Sequence, residues 1–232
     1  MQFKLENNDV VSLTIVRKPN MKHIYLRVTP KGVLVSAHKK TKLSTIEAFV
    51  FSKSSWLIKH LKVQKAQNEK RLLKTGNSVY YQGEAIVLEC KEVISSKAQL
   101  EFLENKFIIS MPKASRQEEL EILFDNFYKE EAIKQIKPLL DKWSKIMDLK
   151  PSTIGFRKAK RRWGSCSSQN ALSFNYYLMK LPLHLVEYVV VHELAHIKEK
   201  NHSSNFWAVV EEFLPEYKAL VVDLREFERL GK

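Results

Sequence analysis

The sequence predicts an α+β fold, and three observations predict it. Two groups of short β-type runs occupy the N-terminal half, a long segment at helical spacing follows, and further helical segments surround His192-Glu193-Leu194-Ala195-His196 near the C-terminus.

The first group comprises Val10 to Arg17, Ile24 to Val28 and Val33 to Ala37, all rich in Val, Ile and Thr or Leu. Pro19-Asn20 and Pro30-Lys31-Gly32 supply turns. Tyr25, Arg27 and Thr29 fall on one face of the middle run and Ile24, Leu26 and Val28 on the other, as in a half-buried sheet with a basic outer face. Thr41 or Ser44 then caps a helix from about Thr45 to Gln67, whose apolar positions are Ile46, Phe49, Val50, Trp56, Leu57 and Leu61. Trp56 is expected to anchor its core.

The second group comprises Val79 to Tyr81, Ile86 to Cys90, Leu100 to Phe102 and Lys106 to Ser110, with turns at Gln82-Gly83-Glu84 and Glu104-Asn105-Lys106. Composition shifts at Pro112. From Gln117 to Met147 apolar residues follow helical spacing, with Pro138 expected to kink or divide the segment. Arg162 to Cys166 and Ala171 to Leu178 read as a hairpin around Ser168-Gln169-Asn170, and Pro182 opens a helix over Leu183 to Lys200. The expected organisation is a basic, β-rich N-terminal domain containing one long helix over residues 1–112 and a second domain, bearing the His motif, over residues 113–232.

Charge is unevenly placed. Of a net +13, residues 1–80 carry 16 Lys and Arg against 4 Asp and Glu. Such an excess attracts polyanions, so a nucleotide or nucleic acid is an expected partner of the N-terminal part, set against the alternative of a solvated lysine surface. No segment approaches a membrane span and the N-terminus lacks a signal-peptide apolar core, so a cytoplasmic protein with no membrane partner is expected. The two cysteines, Cys90 and Cys166, are too few for a disulfide framework and too far apart for a Cys-x-x-Cys pair.

Positions four apart on a helix lie on one face, so His192 and His196 can offer two imidazoles to one ion. Glu193 beside them suits the general base of the His-Glu-x-x-His pattern, which stays off the metal and takes a proton from the water it activates. A catalytic zinc site has three protein ligands. His202 is the expected third, with Glu211 or Glu212 on the following helix as replacement. Two solvated histidines would explain the spacing equally well, but the run Tyr188-Val189-Val190-Val191 buries the helix, and buried imidazoles and a carboxylate need a partner. Zn2+ is the expected cofactor, although manganese, cobalt or nickel suit the same ligands.

Arg162-Trp163-Gly164-Ser165-Cys166, the Leu172-Ser173-Phe174-Asn175 strand, Tyr188 to His196 and Asn201 to Trp207 together resemble the YgjP-like metallopeptidase family, with weaker likeness in Ile24 to Val28, Ile46 to Val50 and Tyr81 to Glu84. More distantly, the C-terminal half is similar to SprT-type metalloproteases, which act on proteins crosslinked to DNA. The resemblance implies a zincin-like catalytic domain, a metal on His192, His196 and His202, and Glu193 as general base. It implies a zinc metallopeptidase acting on protein or peptide. Because some YgjP-like members have been described as pyrophosphatases acting on UTP, nucleotide hydrolysis at the same site is the alternative, and recruitment to DNA-bound proteins a further one. The basic run Arg157 to Arg162 favours phosphate handling, whereas the lack of a Gly-rich loop and of a magnesium-type carboxylate cluster opposes it. On the peptidase reading the strand around Arg162 to Cys166 pairs with substrate, Arg162, Asn175, Tyr176 and Tyr177 are candidates to stabilise the oxyanion, and Cys166 packs as a small apolar residue.

Overall fold

The computed structural model describes residues 1–29 and 32–230 and divides the chain into two compact units, Met1–Leu72 and Leu73–Lys232. The first holds β1 (Gln2–Lys4), β2 (Val10–Lys18), β3 (Tyr25–Thr29), β4 (Gly32–His38), α1 (Leu43–Ser52) and α2 (Ser54–Arg71). Its sheet has the order β1-β2-β4-β3, with β2 and β4 parallel and the outer pairs antiparallel. Along β4 every second residue is buried, so Val33, Val35 and Ala37 meet Ile46, Val50 and Leu57 in one small core. Residues 30 and 31 of the expected Pro30-Lys31-Gly32 turn lie outside the described residues.

Two expectations for this unit change. The single helix is interrupted at Lys53, and its first part is capped by Lys42 with no side-chain bond, not by Thr41 or Ser44. Buried positions then run Ile46, Val50, Ser54 and Leu57, which places Trp56 off the stripe. Trp56 is 40% exposed and stacks on His60 at 4.0 Å.

The second unit holds β5 (Ser78–Tyr81), β6 (Glu84–Glu92), β7 (Gln99–Leu103) and β8 (Lys106–Met111), paired in the order β5-β6-β8-β7. Helix α3 (Gln117–Ile146) packs its row Leu120, Phe124, Tyr128, Ala132, Ile136 and Leu140 into a core shared with Leu88, Phe107 and Ile109 of these strands. Division by compactness therefore falls at Leu72, whereas the composition shift suggests Pro112: the strands before Pro112 and the helix after it share one apolar core. Pro138 sits inside α3 without dividing it. The remainder is β9 (Thr153–Arg157), β10 (Gly164–Cys166), β11 (Ala171–Asn175), a 3₁₀ segment (Tyr176–Lys180), α4 (Leu183–Lys198), α5 (Ser204–Phe213) and α6 (Tyr217–Leu230). The sheet order is β10-β11-β9, which leaves β10 at an edge.

The β5–β6 hairpin reaches the site helix. Gln82 and Gly83, both at positive φ (50° and 90°), form its two-residue turn. Their N–H groups donate to Met179 O and Lys180 O, and a Cβ at Gly83 would stand 2.6 Å from Pro182 Cγ. Glycine thus lets the turn close on the residue that starts α4. No helix among the described residues is long and apolar enough to cross a membrane.

Candidate metal centre

Helix α4 carries His192, Glu193 and His196. Its run Val189-Val190-Val191 is β-branched and weakly helix-forming, so packing holds it. Leu185, Val186, Tyr188, Val189, Val190, Val191, Leu194 and Ala195 are all buried, as expected of a helix apolar nearly all round. After α4 the chain turns back through Ser203, whose Oγ accepts from Phe206 N–H to cap α5, and this brings His202 over the α4 histidines.

The three imidazoles converge. His202 Nε2 lies 3.0 Å from His192 Nε2 and 3.2 Å from His196 Nε2, and the three side chains form one group able to hold a metal. Four-coordinate zinc with metal–nitrogen distances of about 2.0–2.1 Å separates its nitrogens by about 3.3–3.4 Å, so the donors fit such an ion. His196 Nδ1 lies 3.0 Å from Glu199 O, a pure acceptor, so the ring proton sits on Nδ1 and the Nε2 lone pair faces the other rings. Burial, reinforced by the neighbouring imidazoles, pushes His192 down to about 3. Burial likewise lowers His196, against the opposing Glu199 carbonyl, with His202 and Lys200 adding to the fall. Both rings are neutral at physiological pH, the form that ligates metals.

Aromatic rings fix the imidazoles from below. Phe206 stacks on His196 at 4.4 Å and contacts His192 and His202 edge-on at 4.9 and 4.8 Å. Trp207 stacks on His202 at 5.7 Å and on Tyr217 at 5.1 Å. The carboxylate alternatives Glu211 and Glu212 are not among the grouped donors, and Glu211 pairs with Lys218 at 3.4 Å.

Glu193 is 5% exposed, and its Oε2 has no hydrogen-bond partner among the described residues. Burial raises its carboxyl to about 7, with Arg162 opposing the rise. An unpartnered buried carboxylate oxygen beside three convergent lone pairs is the arrangement a bound cation relieves. Gly164 on β10 makes the approach possible: a Cβ there would stand 2.5 Å from Glu193 Cγ and Oε1. Tyr188, with its hydroxyl 3.4 Å from His192 Nδ1, also borders the site, and burial holds its phenol up at about 12.

A cavity of about 450 Å³ opens over the imidazoles, lined also by Arg162, Gly164, Cys166, Tyr188, Glu193 and Lys200. Of the sequence candidates for substrate contact, Arg162 lines it; Asn175, Tyr176 and Tyr177 do not. Asn175 is buried, its amide donating to Ala159 O (2.9 Å) and Arg162 O (3.2 Å) and its Oδ1 accepting from Tyr177 N–H. Its polar capacity goes into holding the basic loop in place. Tyr176 is buried, and Tyr177 donates its hydroxyl proton to Asp125 at 2.6 Å. Trp163, whose indole N–H donates to Glu228 Oε1 at 2.8 Å, ties the loop to α6. Burial raises the Cys166 thiol, with the Lys200 ammonium 3.5 Å away opposing, which leaves it protonated.

Gly164, Phe206 and Trp207 are the site residues that motif reasoning misses. The available signal is that each flanks a singled-out residue in a Trp-Gly-Ser-Cys or His-x-x-x-Phe-Trp run.

Three imidazoles grouped beside a buried glutamate form a candidate metal centre, and the comparisons give the family. The model of the YgjP-like, metallopeptidase domain matches residues 22–227, and the chain belongs to that family. Two solved structures are similar to parts of it. The crystal structure of the metallopeptidase zymogen of Pyrococcus abyssi abylysin is 25% identical, with a TM-score of 0.37, and the match covers 42% of this chain and 96% of that one. That of the metallopeptidase zymogen of Methanocaldococcus jannaschii jannalysin is 23% identical, with a TM-score of 0.36, covering 41% of this chain and 96% of that one. No curated protein matches the chain.

Proposed function

We propose that the protein is a zinc-dependent metallopeptidase in which His192, His196 and His202 hold the metal and Glu193 is the general base. The observation that carries this reading is the convergence of three Nε2 atoms, His202 standing 3.0 and 3.2 Å from the other two, beside the unpartnered Glu193 Oε2. When bound, the ion supplies Lewis acidity, lowering the pKa of water and polarising the scissile carbonyl. Glu193 takes the proton from the attacking water and passes it to the leaving amine, a role its burial suits by raising its proton affinity. Arg162 lines the cavity and offsets negative charge developing on the carbonyl oxygen. Tyr188 orients His192 through Nδ1, and the Glu199 carbonyl does the same for His196. The free edge of β10 aligns an extended peptide.

The test is hydrolysis of an unfolded protein by zinc-loaded enzyme and by Glu193→Gln, with and without chelator, with UTP assayed alongside. Chelator-sensitive proteolysis absent from the variant supports the reading. UTP turnover abolished by the same substitution, with the protein substrate left intact, overturns it.

A further inference from the structure

Strand β10 separates two recesses. One is the cavity over the imidazoles. The other, of about 490 Å³, is lined by Thr153, Gly155, Arg157 and Ser173, with Arg162, Ser165 and Cys166 at the rim common to both. The register aligns Ser165, Ser173 and Gly155 in one row across the sheet and Gly164, Phe174 and Phe156 in the next. Gly164 faces Glu193 and Phe174 is buried, so the serine row belongs to the opposite, outer face. Arg157 flanks that row and donates its guanidinium to Ser165 Oγ at 3.1 Å. Among the described residues neither Arg157 nor Arg162 pairs with a carboxylate, whereas Lys158 between them is bound to Asp125. The face therefore offers an uncompensated guanidinium and two hydroxyls around a glycine that keeps its floor low.

The backbone says what this face would read. Asn175 N–H donates to Trp163 O and Ser167 N–H to Ala171 O, so odd-numbered positions along this strand spend their polar groups on β11. Gly164 and Cys166 direct theirs to the free edge. A peptide paired there bonds to those two residues, and its residue opposite Ser165 projects to the same side as Ser165, because directly opposed residues share a face. Its neighbours project toward the imidazoles. We propose that the outer face is a specificity subsite for an acidic side chain at the one substrate position that stands opposite Ser165. Rested on the peptidase reading above, this names the class of peptide the site prefers: one with Asp or Glu flanked on both sides by residues that face the metal cavity. A carboxylate seated there accepts from Arg157 and from the serine hydroxyls, the pairing a planar guanidinium favours.

The experiment is cleavage of fluorogenic peptides by zinc-loaded enzyme, with Asp, Asn or Lys placed at each position in turn. At one position Asp exceeds Lys by about tenfold in kcat/KM, with Asn between, and the adjoining positions show no such preference. Arg157→Glu reverses the order at that position. Binding of the same peptides to metal-loaded Glu193→Gln, followed by fluorescence anisotropy, shows the same ranking without turnover. Equal cleavage of all peptides overturns the subsite while leaving the peptidase intact. So does an acid preference spread evenly along the peptide, the mark of net positive charge, or a preference that Arg157→Glu leaves in place. If no peptide is cleaved and UTP is, the peptidase reading fails and the subsite with it.

Discussion

The two compact units of this chain differ in what they bury. Residues 1–72 carry 15 Lys and Arg against 4 Asp and Glu and hold a core of eight buried apolar residues, and Ser54 is the only buried polar side chain among the described residues of this unit. Residues 73–232 bury their chemistry: a carboxylate 5% exposed, an imidazole that burial pushes down to about 3, and an edge strand whose glycine yields to that carboxylate. Exposed charge is cheap and replaceable, because water screens it. Buried charge is held only where the fold has a use for it, because an unpartnered carboxylate in the interior costs several kcal/mol. Substitutions in the second unit should therefore cost far more than similar ones in the first.

The sharpest break in that contrast comes at the imidazoles. His202→Ala removes one of three converging donors, and metal affinity is expected to fall on the order of a hundredfold or more, read by chelator competition. Glu193→Gln keeps all three donors and is expected to retain metal while lowering peptide hydrolysis by roughly 10²- to 10⁴-fold. Equal metal loss in both variants would show that Glu193 is a ligand rather than a base.

Next in size is Gly164→Ala. The added Cβ meets Glu193 atoms at 2.5 Å, and because both the strand and the helix are packed, the expected cost is about 1–3 kcal/mol in thermal unfolding together with loss of hydrolysis. A variant as stable and active as the parent would show that β10 moves aside freely, and the edge geometry argued for substrate would lose its support.

Much of this architecture is legible in the sequence, for a definite reason. The strand pattern of Val33 to Ala37 and the helical spacing of Leu120, Phe124, Ile136 and Leu140 are read from the sequence, and the structure buries Val33, Val35, Ala37 and those four helix positions. His192 and His196 are legible because helix periodicity alone stacks them; the close approach of His202 depends on the turn that Ser203 caps. What stays illegible is set by contacts distant in sequence. Gly164 matters because of Glu193, twenty-nine residues on. Asn175 is drawn away from the cavity by carbonyls at Ala159 and Arg162. The division at Leu72 rather than Pro112 follows from strands and a helix sharing a core, which no local composition records.

Helix α2 tests the comparison inside the first unit. Neighbours Trp56 and Leu57 are both large and apolar, and a sequence reading puts both in the core. The buried row Ile46, Val50, Ser54 and Leu57 continues at helical spacing through Lys53, so Leu57 is 0% and Trp56 40% exposed. Leu57→Ala is expected to cost about 2–4 kcal/mol and Trp56→Ala less than about 1 kcal/mol, by chemical denaturation. The reverse order would mean that Trp56, not Leu57, faces the core.

The smallest effect is electrostatic and belongs to the second unit. Glu187 accepts from Trp143 Nε1 at 2.7 Å and from Lys142 Nζ at 2.8 Å. Burial pushes its carboxyl up, but these two bonds, with the ammonium charge, outweigh it and leave the group below its ordinary value of 4.5. A carboxyl depressed in the folded state stabilises above its unfolded pKa and loses that contribution as pH falls through the folded one. Glu187→Gln should therefore narrow the stability gap between pH 7 and pH 3 while leaving metal affinity at pH 7 untouched, since Glu187 lies on α4 outside the cavity lining. A variant whose acid unfolding follows the parent's would mean that the Trp143 bond survives protonation of the carboxyl, and that the packing of α3 on α4 does not depend on this charge.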